Sequence, residues 1–270
     1  MQPWVDFHLR PIILAYICIF ACQIQPSQSF ALEGSPRSYV RFPRWYHAFE
    51  NELSFDFKTR HRSGLLLYTD DGNAGDNFYE IRLVGGTLRL QFRLDAAGGR
   101  RFARRRKQAR PRGSGPQWVQ LGRALNDGQW HSVRLGQYWD RVKVQVGQAQ
   151  EMVRLAKGGQ GYGFVFGKFS TNGDLFMGGV PEELGPSQLS HPLVKQVPTF
   201  QGSIRNLLYR IFPVGVTNPH VLDSEGMRDV EDDYCAPGFC HNGGYCYSTD
   251  AGPQCYCHHV DYSGMYCDKG

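Results

Sequence analysis

The sequence predicts a mostly β protein, an antiparallel β-sandwich followed by a small disulfide-rich segment. Three observations carry this prediction. Apolar and polar residues alternate with period two along several short stretches, the pattern of strands with one buried and one wet face. Turn signals punctuate them at Asp70-Asp71-Gly72, Gly85-Gly86, Asn126-Asp127-Gly128 and Asn172-Gly173-Asp174. Six of the eight cysteines fall in the last 36 residues, and none lies between Cys22 and Cys235.

The first element is residues 1–29. They are polar up to Arg10, apolar over the 12 residues from Pro11 to Cys22, and small and polar at Ser27 and Ser29. This is the pattern of a secretory signal peptide, and the apolar run falls short of the about 20 residues that span a bilayer. Cys18 and Cys22 leave with the signal. The mature chain keeps six cysteines, an even number suited to an oxidising compartment. The product is expected to be secreted, with membrane attachment only if the natural chain continues beyond Gly270.

Residues 30–232 form the second element. About 200 residues bury roughly 70% of their unfolded surface, enough for one sizeable core. Leu53, Phe55 and Phe57 alternate with Ser54, Asp56 and Lys58. Leu88, Leu90, Phe92 and Leu94 alternate with Arg89, Gln91 and Arg93, and Val142, Val144 and Val146 with Lys143 and Gln145. Gly85-Gly86 joins two such runs as a two-residue hairpin. No stretch sustains the 3.6-residue period of a helix. Many short strands with regular turns predict two packed antiparallel sheets.

A basic insert occupies residues 95–117. Between 100 and 112 stand eight cations and no acid: Arg100, Arg101, Arg104, Arg105, Arg106, Lys107, Arg110 and Arg112. The whole chain carries +5, so the remaining residues sum to −3. Such a run repels itself and is read as a loop outside the core. One reading makes it a binding segment for heparan sulfate, whose sulfates accept paired guanidinium hydrogen bonds. Another makes it a solvated loop, since loops accept insertions cheaply. Arg101-Phe102-Ala103-Arg104 is also a minimal, poor match to a furin-type cleavage site. Nucleic acid is chemically equivalent but belongs to the wrong compartment.

The third element, residues 233–270, is too short to build its own core. Cys235, Cys240, Cys246, Cys255, Cys257 and Cys267 form the pattern C-x4-C-x5-C-x8-C-x-C-x9-C. Zinc is a rival explanation, because His241, His258 and His259 are near. The paired C-x2-4-C spacing of zinc sites is absent, however, and oxidation favours disulfides. Six cysteines allow 15 connectivities, and spacing alone selects none.

Catalysis is not predicted. The chain has no H-E-x-x-H, no G-x-S-x-G and no dinucleotide-binding glycine pattern. Gly167-Lys168 resembles the end of a phosphate loop, but Tyr162 and Phe169 occupy its other defining positions. Trp130-His131 sits at a strand start with no nucleophile near it in sequence, so a structural role is expected. No Asn-x-Ser/Thr sequon occurs.

Residues 235–267 resemble an epidermal growth factor (EGF) module, with Asn242-Gly243-Gly244 as its turn and the stretch from Tyr262 to Cys267 as its closing loop. The resemblance implies the pairs Cys235–Cys246, Cys240–Cys255 and Cys257–Cys267. The acids Asp229, Glu231, Asp232 and Asp233 precede the module, but Tyr234 abuts the first cysteine and Ser248 stands where calcium-binding modules carry Asp or Asn. They are read as a solvated linker.

SGLLLYTDDG from Ser63, FYEIRLVGGTLRLQF from Phe78, DGQWHSV from Asp127, LFMGGVP from Leu175 and FQGSIRNLLY from Phe200 resemble a laminin-G (LNS) domain. This implies a jelly-roll sandwich of antiparallel strands that binds partners and is not an enzyme. GSPRSYVRFPRW from Gly34, followed later by one EGF-like module, is similar to the amino-terminal region of the alpha-neurexin family. That resemblance implies an adhesion-receptor ectodomain on the presynaptic cell surface, with extracellular proteins as partners. It also implies a calcium rim. The carboxylate position falls on Asn77, beside Asp76, the later Asn position falls on Ser170, and the carbonyl positions lie near Leu94 and Lys168. Asn77 and Ser170 bring no charge and Lys168 brings a cation, so weak or absent calcium binding is expected. Asp76 is read as a turn acid.

Overall fold

The computed structural model describes residues 29–45, 50–72, 77–94, 115–138, 141–155, 173–213, 215–230, 235, 238–249, 251–257 and 260–270. The signal-like residues 1–28 and the cations of 100–112 lie outside them. Strands run in chain order as β1 (Phe30–Glu33), β2 (Tyr39–Phe42), β3 (Glu50–Lys58), β4 (Gly64–Asp70), β5 (Phe78–Val84), β6 (Thr87–Arg93), β7 (Gln117–Leu121), β8 (Trp130–Tyr138) and β9 (Arg141–Val146). They continue as β10 (Ala149–Arg154), β11 (Leu175–Met177), β12 (Gln201–Ile211), β13 (Gly215–Thr217), β14 (Asp223–Glu225), β15 (Met227–Asp229), β16 (Tyr245–Thr249) and β17 (Gly252–Tyr256). Among the described residues the helical elements are two short 3₁₀ turns, Pro186–Gln188 and Pro192–Gln196.

The strands form two antiparallel layers. The first has the order β10-β9-β8-β3-β12-β1-β15, with β13 also paired to β12. The second has the order β14-β2-β11-β4-β5-β6-β7. The alternation read from sequence sets which side chains face between the layers. Leu53, Phe55 and Phe57 of β3, Leu88, Leu90 and Phe92 of β6, and Val142, Val144 and Val146 of β9 all join one buried core cluster. Each such side chain contributes about 1.5–3 kcal/mol by leaving water. Asp229, the first acid of the linker read from sequence, instead ends β15 and pairs with Phe30.

Gly85 and Gly86 adopt φ of 62° and 80°, and Val84 pairs with Thr87 across them. Positive φ at both central residues belongs to the tight hairpin turn whose twist suits the flanking strands. A buried polar pair crosses the core, where the Tyr79 hydroxyl donates to Gln137 Oε1 at 2.8 Å.

The second layer is covered on both faces over part of its width, which alternation in sequence does not predict. All seven residues of β4 are buried. Its Leu65 and Tyr68, with Tyr39, Phe78 and Phe176 of nearby strands, form a second apolar cluster with Leu189 and Val194. The segment carrying the two 3₁₀ turns therefore lies across the outer face like a strap.

The C-terminal segment holds β16 and β17 as a hairpin. Its disulfides join Cys235 to Cys246, Cys240 to Cys255 and Cys257 to Cys267. All six cysteines are thus consumed in sulfur–sulfur bonds, and the zinc alternative is set aside.

Candidate functional site

The candidate site is the rim where β4 ends, β5 begins and β6 ends. Register brings these points together. Asp70 pairs with Phe78, and Phe78 with Arg93, so Asn77 and Leu94 stand side by side one residue beyond the last paired row. The Asp71 N–H donates to the Asn77 carbonyl at 3.1 Å, and the Gly173 N–H donates to the Asp70 carbonyl at 2.7 Å. The second contact draws the chain that leads into β11 to the same rim. Residues 73–76, 95–114 and 156–172 are the sequence stretches that enter or leave here, and they lie outside the described residues.

Of the five expected calcium positions, Asn77 and Leu94 are therefore described, both nearly buried. Asp76, Lys168 and Ser170 lie outside the described residues. Of the described acids at the rim, Asp174 lies 3.8 Å from Arg41, and Asp70 is held in hydrogen bonds. Asp70 accepts from the Gly72 N–H at 2.9 Å, the Ser190 N–H at 2.7 Å and the Tyr68 hydroxyl at 2.7 Å. Calcium prefers several oxygens with carboxylate charge. Among the described residues no group of three or more His, Cys, Asp or Glu is placed to hold a metal.

Behind the rim lies a polar cluster that sequence reading missed. Asp70 and Tyr68 act as a clamp for the strap, since the Tyr68 hydroxyl also accepts from the His191 N–H at 3.0 Å. Burial and then the adjoining Asp70 carboxylate push the Tyr68 phenol far above its ordinary pKa. The His191 ring stacks on Phe78, with centroids 4.5 Å apart and planes 9° from parallel. Its Nε2 stands 3.7 Å from Oε2 of Glu80, which is fully buried and meets Arg82 Nε at 3.2 Å. Burial raises the Glu80 pKa against the opposing pull of Arg82 and Arg89. Burial, then Arg93 and Arg82, lowers that of His191. At 3.7 Å the carboxylate is too distant for a hydrogen bond, so desolvation of the ring wins. The available signal was an acid placed between apolar residues in FYEIRLV.

His131 has a structural environment. Its Nε2 lies 2.9 Å from Asp127 Oδ1, and its ring packs on Phe57 with centroids 5.6 Å apart. Trp130 is flanked by the cations of Arg205, 4.0 Å from the ring centroid, and Lys58, at 4.6 Å.

The join between sandwich and C-terminal segment centres on Asn206. Its φ is 58°, at a register shift in the pairing of β12 with β3. Its amide nitrogen donates to Asp56 Oδ2 at 2.8 Å and to the Ser248 carbonyl at 2.9 Å, and its oxygen accepts from the Ser248 N–H at 3.0 Å. Arg210 adds a hydrogen bond of 3.3 Å to the Tyr256 hydroxyl.

With this geometry in place, comparison with known proteins defines the family. A Laminin G domain family model matches residues 57–210, more than half of the chain, and the chain belongs to the laminin G domain family. Neurexin 1 of Drosophila melanogaster is 33% identical over 282 residues, covering 94% of this chain and 14% of that protein. Neurexin-2 of Homo sapiens is 33% identical over 242 residues, covering 87% and 12%. The chain thus spans only a small part of these curated relatives. Domains LG4-5 of the mouse laminin alpha1 chain superpose with a TM-score of 0.53 at 13% identity, over 84% of this chain and 51% of that one. At that identity the likeness speaks to the fold alone.

Proposed function

We propose that the chain is a binding module of a neurexin-like adhesion receptor: a signal peptide at residues 1–29, a laminin G sandwich at 30–232 and an EGF-like module at 233–270. It acts outside the cell or at its surface, at the presynaptic face if a longer chain anchors it, and engages extracellular proteins without catalysing a reaction. The observation that carries this reading is the span of the Neurexin 1 match. At 94% of the chain, it is longer than the sandwich, which supports reading the two parts as one neurexin-like arrangement. The three disulfides support export, because such bonds persist in oxidising compartments. Calcium is given no role in this reading. To test the reading, the chain is expressed through the secretory route and its thiols are mapped. Secretion with all six downstream cysteines oxidised is expected, whereas a folded product retained in the cytosol with free thiols contradicts it.

A second reading rests on a separate observation. The two strands that flank the insert are direct neighbours, with Phe92 paired to Gln117, and β7 is an edge strand of its layer. We propose that this edge binds heparan sulfate. Heparin chromatography of the chain with and without residues 100–112 tests it. Earlier elution of the deleted form is expected, and equal elution salt for both rejects it.

A further inference from the structure

A cleft of about 750 Å³ opens at the end of the sandwich opposite the rim, where β4 begins at Gly64 and not where it ends at Asp70. Every residue that lines it is among the described ones, and the stretches outside them at 73–76, 95–114 and 156–172 join the chain at the rim. One wall is the link that carries the strap into β12. It meets the second layer as a single parallel bridge between Leu65 and Thr199. There the Leu65 N–H donates to the Pro198 carbonyl at 2.8 Å, and the Phe200 N–H donates to the Gly178 carbonyl at 2.7 Å. Extended backbone turns the polar groups of successive residues to opposite sides, so Thr199 directs its N–H and C=O away from that layer. Neither group makes a hydrogen bond among the described residues, and only the Thr199 hydroxyl is engaged, donating to the Gly34 carbonyl at 2.9 Å. Leu65, Val180, Val194 and Val197 supply aliphatic surface, and no Phe, Tyr or Trp lines the cleft. Lys195 is exposed at its edge. Its ammonium donates to the Glu182 carbonyl at 2.8 Å, which leaves it donors to spare, while the Glu182 carboxylate lies 3.5 Å from Arg37.

We infer that this cleft takes an extended, acidic peptide segment of a partner protein, which pairs with the backbone of Thr199 and sets a carboxylate against Lys195. The inference rests on the adhesion-module reading and names the element that the module recognises. An unpaired N–H and C=O on extended backbone are the groups to which an added strand bonds, and flanking pockets then select its side chains. The aliphatic lining suits Val, Ile or Leu on such a strand. A sugar is disfavoured, because no aromatic ring offers it a platform. Charge selects the acid: the carboxylate that lines the cleft already faces Arg37, whereas Lys195 has no carboxylate partner among the described residues.

The test selects a displayed library of random heptapeptides on the disulfide-intact chain and on Ser63→Trp, which puts a bulky ring at an exposed lining position. Enriched peptides are synthesised and titrated against the parent, Lys195→Glu and the control Lys143→Glu, which makes the same charge change on the outer face of the other layer. We expect the parent to enrich peptides that carry an acid beside aliphatic residues. Their affinity should fall about tenfold in Lys195→Glu and much less in the control, and replacing the peptide's acid by its amide should cost a similar factor. Hydrogen exchange at the Thr199 amide should slow when peptide is bound. No enrichment on the parent over Ser63→Trp overturns the inference. So do equal losses in Lys195→Glu and the control, or unchanged exchange at Thr199, and these two readouts decide the matter if Ser63→Trp fails to fold. Binding of the tetramerised chain to cultured neurons separates the two claims. If neurons bind the parent and Lys195→Glu equally, the inference falls and the adhesion reading stands. If they do not bind the parent, the adhesion reading falls.

Discussion

Two residues behind the rim pull stability in opposite directions as the pH falls. His191 has its pKa held below the ordinary value, chiefly by burial. The folded state there binds fewer protons than the unfolded chain, so stability declines as the pH drops below the unfolded value of about 6.5. Glu80 has its pKa raised by burial. The fold takes up that proton first, so stability gains as the pH falls through the raised value towards the unfolded one. Melting temperatures measured from pH 7.5 to 4.5 should therefore fall less on the acid side in His191→Gln and more in Glu80→Gln. Parallel curves for parent and variants would contradict the cluster. Asn206 is the other residue with a testable load. Asn206→Ala removes three hydrogen bonds and leaves a non-glycine residue at positive φ, a cost of about 2–3 kcal/mol. Asn206→Gly relieves the backbone but not the lost clasp. Both should speed hydrogen exchange at Ser248, with the alanine variant the less stable, and unchanged exchange would show that the clasp does not bind the two parts.

The elements most legible in sequence were strands with one buried face. Leu53, Phe55 and Phe57 alternate cleanly because one side of β3 meets the core while the other meets polar neighbours. β4 and β5 were legible as strands, but their second buried face was not. Seven buried residues in a row look the same whether the cover is a sheet, a helix or an irregular strap. The strap itself has no period to read, since it holds its place by backbone N–H groups bonded to Asp70 and Tyr68. The insert is the opposite case, because its charge reads as a loop in sequence, and its cations lie outside the described residues. Replacing residues 95–114 with a short glycine-rich turn should change stability by no more than about 1 kcal/mol, since closure entropy grows slowly with length. A loss several times larger in chemical denaturation would mean that the insert packs on the sheet.

At the scale of the whole molecule, the chain joins a core-built part to a covalently built one. The sandwich has a continuous apolar interior. Among the described residues the C-terminal segment has a small buried cluster composed mostly of its own cysteines, and its order depends on the cross-links. Replacing Cys240 and Cys255 together by serine should cost that segment about 2–4 kcal/mol. Calorimetry should then show it melting ahead of an undisturbed sandwich, and a single unchanged transition would contradict this division. Cysteine spacing made the segment visible in sequence. Its attachment through Asn206 was hidden, because a backbone bulge and a left-handed asparagine leave no mark in hydrophobic period. The rim was legible only as a set of positions, three of which lie outside the described residues. The most direct test of the central claim is binding of the tetramerised, disulfide-intact chain to cultured neurons. A protein-recognising adhesion module predicts saturable binding that surface proteolysis of the cells abolishes and that heparinase treatment leaves largely in place. Absence of saturable binding, or binding that survives proteolysis, would contradict it.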